Sequence, residues 1–160
     1  MTIDLDDVDW TILDELQRDG RITNVELARR VDISAPACLR RVRALEKSGI
    51  VTGSRALVNP RLLGYELTAF ALVGLKSQAD QDLQAFRDQV DAWPIVREAY
   101  MLSGESDFIL KCVVKDLTAF KSFIMNDLTK APNVDGVRTA LSLGTSKDKP
   151  LVPSTRTKSV

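Results

Sequence analysis

Not one histidine occurs in the 160 residues of this chain, and that absence excludes much of enzymology. It removes the usual proton shuttle and the commonest metal ligand, and with them zinc hydrolases and histidine-based nucleophilic triads. Cysteine is nearly as scarce. Cys38 and Cys112 stand far apart on periodic apolar positions, outside any CxxC pair or ligand cluster, and both read as buried hydrophobes. No glycine-rich loop of the kind that cradles phosphates is present, and no pair of carboxylates has an evident shared site, since Glu105 and Asp107 share only one face of a strand end. The expectation is a protein that is not an enzyme, with no catalytic residue, no metal site and no cofactor.

Long apolar runs are also missing. Nothing approaches the roughly 18 residues of a membrane-crossing helix, and MTIDLDDVDW is acidic where a signal peptide is basic and then apolar, so a cytoplasmic location with no membrane partner is expected. Net charge is missing too, at a formal zero, which leaves any nucleic-acid binding to a local patch.

Such a patch exists. Residues 18–55 hold nine Lys/Arg against four Asp/Glu, whereas the first seventeen residues hold six acids and no base. At its centre, residues 34–49 (SAPACLRRVRALEKSG) read as one amphipathic helix. Cys38, Leu39, Val42, Leu45 and the stem of Glu46 fall on one side, and Pro36, Arg40, Arg43 and Lys47 stack on the other. Ser34 supplies an N-cap, Pro36 sits in the first turn, and Gly49 can take the left-handed conformation that ends a helix. Just upstream, Thr23 and Glu26 have capping-box spacing and open a short helix through Leu27 and Val31, with Asp32 and Ile33 as the break. Two helices so joined, the second cationic on its outer face, match a helix-turn-helix whose recognition helix enters the major groove of double-stranded DNA. An ordinary helical hairpin with a solvated face is the plainer reading; the charge placement argues against it.

Before this pair, residues 6–18 form a helix with Val8, Ile12, Leu13 and Leu16 on one stripe, stopped at Gly20. After it, residues 50–58 are rich in β-branched residues and read as a small strand or hairpin, a wing beside the helices. Residues 1–58 are thus a first domain, 59–64 a linker and 65–147 a second domain. There, strands are expected at 67–75, 95–102, 108–114 and 137–143, and helices at 81–92 (Leu83, Phe86 and Val90 inward) and 117–128 (Leu117, Phe120, Ile124 and Leu128 inward). This βαββαβ order is the ferredoxin-like arrangement, with two helices on one face of a four-stranded sheet. The fold class is therefore α+β. The open face, carrying Phe, Leu and Val, is expected to pack on a second subunit. The tail, residues 148–160, is polar and proline-containing, a composition that favours disorder.

With an N-terminal helix-turn-helix containing ISAPACLRRVRALEKSGIV, a short linker, and a βαββαβ domain with a Gly-x-x-Asp turn at Gly104 and Asp107, residues 5–147 resemble the Lrp/AsnC family of "feast/famine" transcriptional regulators. The resemblance implies DNA-reading positions at Ser34, Pro36, Ala37, Arg40, Arg41 and Arg43. Arg40 departs from some relatives, which carry an acid there. It also implies a homo-oligomer, a dimer assembling into tetramers or octamers, and an amino acid or related small metabolite bound where dimers meet. The implied effector positions are Met101, Ser103, Gly104, Glu105, Ser106 and Asp107, where backbone N–H groups reach a carboxylate and Asp107 faces an α-ammonium. Read for itself, that stretch is a tight hairpin with a capping Asp. On the last strand Arg138, Ala140 and Ser142 alternate away from Thr139, Leu141 and Leu143, so that Ala140 and Ser142 look toward the open face and join the implied effector set. The alternative is an architectural protein that bridges or wraps DNA with no effector.

Overall fold

A computed structural model describes residues 4–149 and 152–153. Contacts divide the chain into two units, one running to Leu57 and the other Val58–Ser146, with the segment from Lys147 going with the first.

The first unit is three helices around one core: α1 (Asp7–Arg18), α2 (Asn24–Arg30) and α3 (Ala35–Lys47). Asp6 caps α1 reciprocally, its Oδ1 accepting the Asp9 N–H at 2.9 Å while the Asp9 Oδ2 accepts the Asp6 N–H at 3.4 Å. Thr23 accepts the Glu26 N–H at 3.3 Å, but the other half of the expected box is not made, because the Glu26 carboxylate turns to Arg29 and Arg30. Asp32 takes a left-handed φ of 55° at the turn between α2 and α3, a conformation Asp tolerates better than a β-branched residue would. Ser34 then caps α3 through the Ala37 N–H (3.4 Å), and Gly49, at φ 78°, follows its end. Ile12, Leu27, Ala28, Val31, Cys38 and Leu45 are buried together, with Val8, Leu13, Leu16 and Val42 packed against them. Leu39 is not among them. It lies 38% exposed at the edge of the helix face, and Glu46 is likewise exposed.

The wing expected at residues 50–58 does not form as a strand. The Ile50 and Val51 N–H groups both donate to the Leu45 carbonyl at 3.1 Å, tying the segment's start to the helix end. Beyond Val51 the residues are exposed, and no described strand lies alongside to offer a ladder; a short hairpin alone is marginal in water. Of the tail, most of residues 150–160 lies outside the described residues, but the Val152 N–H donates to Gln17 Oε1 on α1 at 3.1 Å.

The second unit carries an antiparallel sheet built from β1 (Leu67–Leu75), β2 (Val96–Met101), β3 (Phe108–Val114) and β4 (Val134–Leu141), in spatial order β2-β3-β1-β4. With α4 (Asp80–Ala92) after β1 and α5 (Leu117–Phe123) after β3, this is the expected βαββαβ topology. Alternation sends Ala69, Ala71 and Val73 of β1, and Phe108, Leu110, Cys112 and Val114 of β3, into the core with Phe86 and Val90 of α4 and Phe120 and Phe123 of α5. Phe86 and Phe108 meet at a tilt of 56° with 4.9 Å between centroids, and Trp93 meets Phe123 edge-on at 5.2 Å. After α5 the chain widens into a π-turn at Ile124–Leu128. Buried Phe123 and Leu128 are five residues apart; an α-helix would rotate that pair off one face, and the wider turn brings both inward. Leu117, expected inward, is exposed.

β4 begins three residues earlier than its pattern predicts, because buried Val134 already pairs with Leu75 across a bulge at Gly74/Leu75. Asn133 fixes this start. Its carbonyl accepts the Lys76 N–H at 2.9 Å, its Oδ1 the Ser77 N–H at 3.0 Å, and its Nδ2 donates to the Ser77 carbonyl at 2.9 Å. Leu143 accordingly lies past the strand end and is fully exposed rather than under the helices. Cross-strand register assigns the other face: Phe70 stands between Lys111 and Ala140, and Leu72 between Ile109 and Arg138. No helix among the described residues is long and apolar enough to cross a membrane.

Candidate functional site

In the first unit the question is which cations remain free to meet an anion. Arg18 pairs with Glu15 at 2.8 Å, Arg29 with Glu26 at 2.7 Å, and Arg30 with both Glu15 and Glu26 at 2.8 Å. The guanidiniums of Arg29 and then Arg30 hold the Glu26 carboxyl down to about 2. Arg41 donates from one nitrogen to Asp6 Oδ2 and Asp9 Oδ1, each at 2.8 Å. Those contacts raise its pKa, Asp9 first. Among the described residues, Arg21, Arg40, Arg43, Lys47 and Arg55 make no ion pair with an acid. Three of them, Arg40, Arg43 and Lys47, are exposed along α3 with Pro36, as the helical period predicts. Asn24 braces this helix against α2 by donating from Nδ2 to the Ala35 carbonyl at 2.8 Å. Ser34 is exposed and Ala37 half-buried at the same end. Arg41 differs from its expected neighbours: periodicity gives it neither face cleanly, and its guanidinium turns to α1.

An exposed cationic stripe on a braced helix of 13 residues suits a major groove, where Arg reads guanine edges and both Arg and Lys meet phosphates.

In the second unit, residues 102–107 join β2 to β3. Gly104 has φ 140° with nothing within 4 Å of the position a Cβ would take, so the backbone demands glycine there and leaves open space above it. Asp107 closes the turn. Its N–H donates to the Val73 carbonyl at 2.8 Å, its Oδ2 accepts the Leu75 N–H at 2.7 Å and its Oδ1 accepts the Gln78 Nε2 at 2.7 Å. Both carboxylate oxygens thus already hold the bulged end of β1, where the resemblance implied a free partner for an ammonium. Arg138 bonds Glu105 Oε2 from both terminal nitrogens at 3.1 Å and the buried Ser106 Oγ at 3.2 Å. The structure therefore gathers Glu105, Ser106, Asp107, Gln78 and Arg138. Ala140 lies farther along β4, level with Phe70 of β1, and Ser142 just past its end donates its N–H to the Thr68 carbonyl at 2.9 Å. Met101 pairs with Phe108 on the helix side of the sheet, and its sulfur accepts from Arg87 at 3.4 Å. Arg138 and Gln78 were not in the implied set; alternation had put Arg138 on the right face, whereas nothing local marks Gln78.

A cationic recognition helix in one unit and a ferredoxin-like sheet with a glycine-opened loop in the other define a class, the DNA-binding transcriptional regulator with a ligand-binding domain. Comparison with known proteins agrees with each half. Residues 5–52 match the family described as winged helix-turn-helix DNA-binding, and residues 68–152 match the Lrp/AsnC ligand binding domain. The chain belongs to the Lrp/AsnC family of transcriptional regulators. It is 57% identical over 146 residues to a leucine-responsive regulatory protein of Rhizobium meliloti (strain 1021), covering 91% of this chain and 94% of that one. It is 40% identical over 136 residues to the leucine-responsive regulatory protein of Escherichia coli (strain K12), covering 85% and 83%. Among solved structures, a transcriptional regulator of Neisseria meningitidis in complex with L-Met superposes with a TM-score of 0.89 at 35% identity, over 94% of this chain and 97% of that chain.

Proposed function

We propose that this chain binds operator DNA through the outer face of α3, with Ser34, Pro36, Ala37, Arg40 and Arg43 at the groove, and that an amino acid or related small metabolite modulates its DNA binding or assembly. The observation that carries the DNA reading is the stripe of Arg40, Arg43 and Lys47, free of acid partners among the described residues while neighbouring arginines are paired with acids. The effector reading rests on the open space at Gly104, on Glu105, Ser106 and Arg138 gathered beside it, and on the L-Met complex of the Neisseria relative. In this reading Asp107 orders the loop, Met101 and Ser103 included, whose backbone receives the ligand, and Ala140 and Ser142 add to the pocket.

The open sheet face supports assembly. Phe70, Leu72, Ile109 and Val113 are half-buried and Tyr100 exposed on it, an apolar patch suited to a second copy. A dimer so formed, with residues 1–58 and 65–147 as its working domains and 59–64 as linker, presents two recognition helices, and it assembles further into tetramers or octamers in the cytoplasm.

The test is thermal melting of the full chain against a panel of amino acids. A ligand at a hundred times its dissociation constant stabilises by about 2.7 kcal/mol, so at least one should raise the melting temperature. No shift with any amino acid would favour a DNA-bridging protein without effector.

A further inference from the structure

Arg41 lies between Arg40 and Val42 on the recognition helix, where a DNA contact is the obvious role for a cation. Its surroundings say otherwise. One guanidinium nitrogen is shared by Asp6 and Asp9 at 2.8 Å each. These are the two residues of the reciprocal cap on α1, so both acids are already oriented by backbone N–H groups. The Arg41 side chain is 31% exposed, that of Asp9 only 16% and that of Asp6 53%, so the Asp9 arm is partly withdrawn from solvent and less screened than a surface pair. The contact spans 35 residues of sequence and joins the middle of α3 to the start of α1.

We propose that Arg41 is a positioning residue rather than a DNA contact, and that Asp6 and Asp9, acidic and on another helix, help determine operator specificity by setting the angle at which α3 presents Arg40 and Arg43. Base readout needs side chains placed to hydrogen-bond tolerance, whereas non-specific binding needs only nearby positive charge. Loosening the staple therefore degrades operator binding and leaves non-specific binding nearly intact.

The experiment measures affinity of the full chain for operator and scrambled duplexes across a salt series, for wild type, Arg41→Gln, Asp9→Asn and the double variant, below every melting temperature. Positioning predicts that each single change weakens operator binding about tenfold, that affinity for the scrambled duplex moves only slightly and with the charge removed, down for Arg41→Gln and up for Asp9→Asn, that the salt slope stays as it was, and that the double variant is no worse than either single. A phosphate contact predicts the opposite sign for the acid. Arg41→Gln would weaken binding to both duplexes and shrink the slope by about one, while Asp9→Asn, by removing a nearby negative charge, would strengthen binding. That pattern overturns the proposal, as does an unchanged operator-to-scrambled ratio accompanied only by lower melting temperatures. Should Arg41→Gln not fold, the sign of the Asp9→Asn effect on operator binding decides alone.

Discussion

Substitutions at Asp107 measure how the loop between β2 and β3 is held. Its carboxylate accepts the Leu75 N–H and the Gln78 side-chain amide, both at 2.7 Å. Gln78 is exposed and can turn to water, but Leu75 is half-buried at the bulge of β1, so its N–H would be left without a partner in Asp107→Ala. A hydrogen bond to a charged group contributes roughly 1.5–3 kcal/mol, and an unsatisfied buried donor costs a similar amount. The alanine variant should lose about 2–3 kcal/mol in all. Asparagine has the same shape. Its carbonyl can still accept from Leu75, and its amide can donate to a turned Gln78, so only the charge assistance is lost, about 1 kcal/mol. For a domain of this size each kcal/mol moves the melting temperature by roughly 4–8 °C. Expected shifts are thus about 8–24 °C for alanine and about 4–8 °C for asparagine. Both are read by calorimetry at equal protein concentration, because the melting temperature of an oligomer depends on it. An alanine variant within ~2 °C of wild type, or an asparagine variant as damaged as alanine, would refute this account of the loop. Titrating effector into the folded asparagine variant adds a second reading. An α-ammonium that displaces Gln78 to reach Asp107 would bind about tenfold more weakly, and unchanged affinity leaves Asp107 as the organiser of the turn alone.

Other outcomes are expected in both units. Arg43→Ala should leave the melting temperature unchanged and weaken operator binding by about 1–3 kcal/mol if it reads a guanine edge, or weaken all duplexes and flatten the salt slope if it meets phosphate. Folded-state pKa values of Asp6, Glu15 and Glu26 lie below their ordinary range, held there by the Asp9 N–H, Arg30 and Arg29 respectively. Their stabilisation is therefore full above the unfolded carboxylate range near pH 4 and is lost as pH falls toward the value of about 2 for Glu26; acid unfolding followed by circular dichroism should show helix loss across that window. Leu27→Ala, at a fully enclosed position of the first core, should cost about 2–5 kcal/mol by denaturant titration. Leu72→Glu on the open sheet face should shift the sedimentation of the chain toward monomer, and undiminished assembly would place the interface elsewhere.

What the sequence made legible was whatever local chemistry decides. The recognition helix was readable because Ser34, Pro36 and Gly49 agree on its ends and the apolar period on its inner face. The βαββαβ order was readable because each element carries its own period. The start of β4 was not, since Val134 follows the Pro132-Asn133 turn directly and only Asn133 reaching back to Ser77, 56 residues away, starts the pairing there. Residues 50–58 misled because β-branched composition is silent on whether a partner strand exists. The same limit applies at both candidate sites. Arg41 meets Asp6 and Asp9 across more than thirty residues, and Asp107 meets Leu75 across 32; side-chain partners at such separations are a product of packing, which periodicity does not encode.

The central claim, that this chain reads DNA sequence and answers to an amino acid, is met most directly by fluorescence anisotropy of the full chain on operator and scrambled duplexes, with and without the amino acid that raises its melting temperature. Specific binding should exceed non-specific binding by at least about a thousandfold at physiological salt, and operator affinity or its concentration dependence should move when the amino acid is added. Equal affinity for the two duplexes, unmoved by any amino acid, would contradict the account and leave a protein that only bridges DNA.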